Sequence, residues 1–164
     1  VASTRTRGAG DASVGGIADA LVTASRLLLD ITARSVAEVE ESLTVPQLRV
    51  LVIVSTRGPT NLSALARQLD VQPSTIGRMA DRLVTAGLID RHPHPDSRRE
   101  IIIELTRHGH RVVDTVTRRR HAEIARVVEL MPTRERQGMV RALRAFTEAG
   151  GEPAVSSDPT GLDF

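Results

Sequence analysis

The sequence predicts a mainly α-helical fold that carries one small β-hairpin. Three observations predict it. First, aromatic residues are limited to Phe146 and Phe164 while 40% of the 164 residues are hydrophobic, so the core must be aliphatic. Leu, Val, Ile and Ala in that proportion suit helices packed on helices. Second, apolar residues recur at spacings of three and four through most of the chain. Third, one β-branched run, Ile101-Ile-Ile103, follows a proline-containing loop and breaks the helical period.

Charge and cysteine content narrow the class. The 22 basic and 20 acidic residues leave a formal charge of +2, and every basic residue is arginine. The global balance therefore says little about nucleic acid, and the local distribution has to decide. Cysteine is absent, which excludes structural disulfides, thiolate zinc sites and thiol redox sensing by this chain. No apolar run approaches the roughly 20 residues of a membrane span. The beginning of the chain lacks an apolar signal-peptide core, so a cytoplasmic protein without a membrane partner is expected.

Residues 1–12 are small, polar and glycine-containing and read as a disordered arm; 150–164 read as a tail. Between them the pattern predicts one domain, 13–149, with six helices and a hairpin. The first helix, 14–41, places Ile17, Leu21, Ala24, Leu28, Ile31 and Ser35 on one face. Val22, Leu29 and Val36 form a second stripe at seven-residue spacing. Two stripes predict burial on two sides, against the chain's own core and against a partner.

Thr44 begins the second helix, with Pro46 in its first turn, where a missing N–H does no harm. Arg57-Gly58-Pro59 ends it. Asn61 caps the third helix, Leu62 to Leu69, and 70–72 form a turn. Pro73 or Ser74 opens the fourth helix, which Gly87 ends. Ile76, Met79, Ala80, Leu83 and Val84 are expected to face inward; Gln72, Ser74, Thr75, Arg78 and Arg82 share the outer face.

Strands are predicted over Leu88 to Arg91 and Glu100 to Leu105. Residues 92–97 form the loop tip, since Pro93 and Pro95 lack donors and cannot continue a central strand. Thr106 caps a fifth helix of roughly 107–131, with Val113, Val116, Ile124, Val127 and Met131 in its apolar row. After Pro132-Thr133 a sixth helix of about 134–149 carries Met139, Val140, Leu143 and Phe146.

Residues 61–106 thus combine two short capped helices with a hairpin whose tip holds Arg98 and Arg99. A helix that enters the major groove needs small or polar residues at its N-terminal end and an apolar back that locks it to a support. Ser74, Thr75 and Arg78 supply the first; Ile76, Met79 and Leu83 supply the second. Arg78 can contact guanine or phosphate, and only the former carries sequence information. Arg98 on a proline-stiffened arm suits a narrow minor groove, and Asp96, two residues earlier, can brace it.

At these residues the chain resembles the MarR family of bacterial transcription regulators, which are winged helix-turn-helix proteins. The resemblance rests on Ser74-Thr75, Arg78, Asp81-Arg82-Leu83, Gly87-Leu88-Ile89, Arg91, Asp96 with Arg98-Arg99, Leu105-Thr106 and Gly109. Thr44-Val-Pro-Gln-Leu48 adds a match at the second helix. It extends over about 14–149. It implies a winged helix-turn-helix, 44–106, joined to a helical dimerisation region, 14–41 and 107–149. It further implies a homodimer on a pseudo-palindromic operator with half-sites about one helical turn apart. Gln72, Ser74, Thr75 and Arg78 would face the major groove, with Arg82 and Arg99 nearby. Arg98 would enter the minor groove, oriented by Asp96.

Family members often release DNA when a small, frequently aromatic anion binds between the dimerisation helices and the winged domain. Here that region would include Leu28, Ile31, Val50, Val54, His110 and Val113, with Arg26 or Arg34 available to an anion. The five histidines raise a second reading, a metal-responsive regulator. However, His92 and His94 flank the hairpin tip, His108 and His110 diverge on a helix, and His121 lies three turns further on. No metal or other cofactor is expected. No nucleophile elbow, phosphate-cradling glycine loop or paired-histidine helix motif is present, so catalysis is not expected. A dimeric helical adaptor without DNA binding is the remaining alternative. The intact Ser74, Thr75, Arg78, Asp96 and Arg98 argue against it.

Overall fold

The computed structural model describes residues 13–94 and 97–151, with backbone only at 97–99. The chain divides into two packing units, 1–124 and 125–164, and each is described by itself. In the first unit, α1 (Val14–Ala37) starts where the Ser13 hydroxyl accepts the Gly16 N–H at 3.1 Å. It stops four residues before the expected end. The Val39 and Glu40 N–H groups both bond to the Val36 carbonyl, tightening the last turn. The chain then turns so that Leu43 enters the core, 6% exposed.

The next helix, α2 (Val45–Arg57), opens with a reciprocal cap. The Gln47 N–H donates to the Thr44 hydroxyl at 3.4 Å, and the Thr44 N–H donates to Gln47 Oε1 at 2.9 Å. A two-residue strand, β1 (Thr60–Asn61), precedes α3 (Leu62–Leu69). Asp70 takes a left-handed φ of 50°, a conformation Asp tolerates better than most residues, and the chain reverses into α4 (Pro73–Thr85). After Gly87, at φ 67°, come β2 (Ile89–His94) and β3 (Ser97–Leu105). The three strands form an antiparallel sheet in the order β1-β3-β2.

That order corrects the expected loop tip. β2 runs on through Pro93, which pairs with Ile101, to His94. Because β2 is an edge strand, a residue without an N–H can sit there without breaking a ladder on its far side. β1 was not expected at all; two residues carry too little pattern, and only pairing with Ile102 and Ile103 makes them a strand.

The core of this unit is aliphatic throughout. Leu51, Leu65, Ala80, Leu88 and Ile103 are 0% exposed, joined by Ile76, Leu83, Ile89 and Val116 at 1%. Val84, expected inward, is 39% exposed. It lies one residue, roughly 100° of helix, beyond Leu83, whose side chain takes the buried position. Along α1 only Ile31, Thr32, Ser35 and Val36 are buried. Arg34 pairs with Glu123 at 3.0 Å, and Arg119 pairs with Glu38.

Thr106 accepts the Gly109 N–H at 2.9 Å and so caps α5 (Arg107–Glu129), as expected. The second unit begins within α5. It ends the helix two residues early, through tight bonds from Leu130 to Val127 and from Met131 to Val128 ahead of Pro132. The expected sixth helix is two: α6 (Thr133–Arg136) and α7 (Met139–Ala149). Gly138, at φ 84°, separates them in a conformation that interrupts a right-handed helix.

Asn61 holds two elements at once. Its Oδ1 accepts the Ala64 N–H at 2.7 Å and its Nδ2 donates to Glu100 on β3 at 3.1 Å. Asn61→Ala is expected to lower stability by about 1–2 kcal/mol. Asn61→Ser should recover most of that, since its hydroxyl restores the cap but not the bond to Glu100. Urea denaturation of the three proteins checks this; an Ala variant as stable as the parent would refute the cap.

Candidate nucleic-acid interface

The site is built on α4. Pro73 at the first helical position pre-sets φ, and Gln72 precedes it in extended geometry with no side-chain cap bond. The helix therefore presents its first turn, with the positive end of its dipole, to solvent. Ile76, Ala80 and Leu83 bury its back against the core. That leaves Gln72, Ser74, Arg78 and Arg82 exposed and Thr75 half-buried. Ser74, Thr75, Arg78 and Arg82 lie on the side of α4 away from that back, whereas Gln72, expected on the same face, precedes the helix in extended geometry. Arg78 and Arg82 stand one turn apart, without a carboxylate partner among the described ion pairs.

The hairpin follows at once. Ile89 and Ile103, both essentially buried, root it in the core. Arg98 and Arg99 are the second and third residues of β3. Asp96, the expected brace, lies outside the described residues. Arg91, which the sequence marked only as one residue of the family resemblance, has partners that the sequence did not show. Its Nη2 reaches Asp81 Oδ1 of α4 at 2.7 Å and donates to the Gly77 carbonyl at 3.3 Å. A basic residue on a strand ten positions after an acidic residue on a helix has no local signature.

The six residues expected around a ligand divide into two groups. Ile31, Val50, Val54 and Val113 are buried at 6% exposure or less, and the last three belong to the continuous core. Leu28 is 43% exposed and His110 is exposed. Elsewhere on α5, burial lowers the pKa of Arg120 below that of a free guanidinium, and its Nε has no hydrogen-bond partner. His92 lies 3.9 Å from Glu104, and His108 lies 3.9 Å from Glu40. Among the described residues no group of three or more His, Asp or Glu side chains could hold a metal ion. Nor is any described helix long and apolar enough to cross a membrane.

A capped supporting helix, a reversed turn, a second helix with a polar outer face and a rooted hairpin define a winged helix-turn-helix DNA-binding protein. The family model for MarR matches residues 43–101, which span α2 to the first half of β3. The crystal structure of RV1404 from Mycobacterium tuberculosis is 60% identical to this chain, with a TM-score of 0.81. The match covers 88% of this chain and 99% of that one. The HTH-type transcriptional repressor MdtR of Bacillus subtilis is 32% identical over 96 residues, 58% of this chain and 62% of its own length. Streptococcus pneumoniae FabT, crystallised in complex with DNA, shares the fold at a TM-score of 0.71 and 16% identity, over 85% of this chain and 98% of its own. The chain belongs to the MarR family: it is a helix-turn-helix transcription regulator and not an enzyme.

Proposed function

We propose that this regulator works as a homodimer, represses by occupying a pseudo-palindromic operator, and is released by a small ligand. The observation that carries the reading is the α4 face, where Ser74, Thr75, Arg78 and Arg82 lie opposite a buried aliphatic back, with Gln72 exposed at the helix N-cap. Such a face can enter the major groove, and the hairpin beside it can reach the backbone or minor groove. Arg98 and Arg99 complete the proposed DNA contacts, with Asp96 as the brace that orients Arg98.

Dimerisation is supported by apolar surface that a monomer would leave in water. On α1, Val14, Ile17, Val22, Leu27, Leu28 and Leu29 are 43–87% exposed. In the second unit, Val140, Leu143 and Phe146 of α7 are 43–61% exposed. Apolar surface on this scale is ordinarily covered by a partner. Repression is supported by the named activity of MdtR. Any ligand that reaches Ile31, Val50, Val54 and Val113 must part a filled core, entering past exposed positions such as Leu28 or His110. Binding there would be coupled to the packing of α1, α2 and α5, which is what a release mechanism requires. Acting on chromosomal DNA, the protein would work in the cytoplasm.

The test is titration of promoter fragments at several salt concentrations, with sedimentation of the protein at micromolar concentration. Affinity for one fragment should exceed that for unrelated duplex and fall steeply with salt as arginines displace counterions. Equal binding to every fragment would remove the operator reading, and a monomer mass would remove the dimer.

A further inference from the structure

We infer that Arg91 and Asp81 form a clasp that sets the angle between the reading helix and the wing, which makes Arg91 a positioning residue for DNA binding. The inference rests on the reading above that both α4 and the hairpin touch DNA. Gly77 and Asp81 are one turn apart on α4, and Arg91 spans that turn. Its Nη2 is 2.7 Å from the Asp81 carboxylate and 3.3 Å from the Gly77 carbonyl oxygen. The side chain is only 29% exposed, and its Nε is buried with no acceptor. The polar holds found for this guanidinium are thus both on α4. They fall beside Arg78 and Arg82, which neighbour Gly77 and Asp81 in the chain.

The other end of the clasp is equally placed. Arg91 pairs across the ladder with Ile103, which is 0% exposed. Before this point the hairpin is rooted in the core through Leu88 and Ile89; after it, His92 and Pro93 are exposed. Arg91 therefore ties the hairpin to the reading helix at the point where β2 leaves the core.

Charge makes the same case. Asp81 is an acid on the helix proposed to approach phosphates, and its side chain is 66% exposed. Electrostatics alone would have it weaken DNA binding. A geometric role for the carboxylate reverses that sign. The Asp81 end of the pair is too exposed for the ion pair to add much to folding stability, so loss of the carboxylate should be read in affinity rather than in melting temperature.

The experiment uses the full chain and a duplex that the wild-type protein selects from a random-sequence pool. Asp81→Asn is expected to weaken binding about threefold per winged domain, so about tenfold for two. The salt slope should be unchanged and the thermal midpoint close to wild type. Arg91→Lys keeps the charge but loses the fork that spans two acceptors, and it should lose a similar factor. The double variant should be no worse than Arg91→Lys alone. If Arg91 served only as a phosphate contact, Asp81→Asn would bind as tightly as wild type or tighter, and that outcome overturns the clasp while leaving the regulator intact. Failure of the wild-type protein to select any duplex would overturn both.

Discussion

Gly109→Ala is expected to destabilise the protein by about 3 kcal/mol, because the new methyl group would be driven into main chain. Gly109 is the third residue of α5. A Cβ built there falls well inside contact distance of the Leu88 carbonyl oxygen, 3.1 Å from the carbonyl carbon and 3.3 Å from Leu105 Cδ2. That carbonyl cannot swing aside, since it accepts the Thr106 N–H at 3.1 Å. The Thr106 hydroxyl donates to the Gly87 carbonyl at 2.6 Å while accepting from Gly109. The start of α5 is thus seated directly on the backbone that joins α4 to β2. Relief would require α5 to lift, and Val112, Val113 and Val116 would leave the core with it. The thermal midpoint should fall by about 10 °C for a chain of this size. Gly77→Ala is the control. Gly77 is also within a helix, but a Cβ there meets nothing within 4 Å, so the substitution should be neutral or stabilising by up to about 1 kcal/mol. Equal midpoints for Gly109→Ala and wild type would disprove this seating of α5.

Arg78→Ala is expected to reduce affinity for a selected duplex by about 1–3 kcal/mol per winged domain if the guanidinium reads a base. Two domains on one operator would compound the loss. Stability should be unaffected, because Arg78 is exposed and no described ion pair involves it. The selectivity profile separates its two possible roles. A base contact relaxes preference at one position in each half-site. A phosphate contact lowers affinity evenly across sequences and reduces the salt slope by about one. Measuring affinity for a panel of single-base variants with both proteins decides between them. Unchanged affinity throughout would refute α4 as the reading helix.

The elements that local chemistry specifies were legible in the sequence. The Asn61 cap, the bounds of α3, the inward row Ile76, Ala80 and Leu83, and the Thr106 cap all depend on residues within a turn of one another. The outer face of α4 was legible for the same reason: helical period alone puts Ser74, Thr75, Arg78 and Arg82 on the side away from that row, whereas Gln72 is in register with Ile76 and is exposed only because it precedes the helix in extended geometry. The break at Gly138 was not legible. Glycine is tolerated inside helices, and nothing in its neighbours requires a φ of 84°. Met139, Val140, Leu143 and Phe146 keep a helical period whichever way the preceding residues turn.

Other features depended on what lies across space. Pro93 looks like a strand-breaker until the sheet order puts β2 at an edge. Val84 looks like a core residue until Leu83 occupies the position facing the core. Gly109 was visible as a family-like glycine, but the reason for it is a carbonyl twenty-one residues away.

By itself, then, the sequence determined the class of this protein: an aliphatic helical chain with a capped helix pair, a polar reading face and a basic hairpin. Those properties follow from capping, turn chemistry and periodicity, which act over a few residues. The tertiary structure alone decided how the reading parts are held. It joined Arg91 to Asp81 and Gly77, Asn61 to Glu100, and the start of α5 to the Leu88 carbonyl. It also left Val14, Ile17, Val22, Leu27, Leu28 and Leu29 of α1 in solvent. Burial and long-range pairing fix these outcomes, because a side chain's partner is set by the packing of elements far apart in the chain.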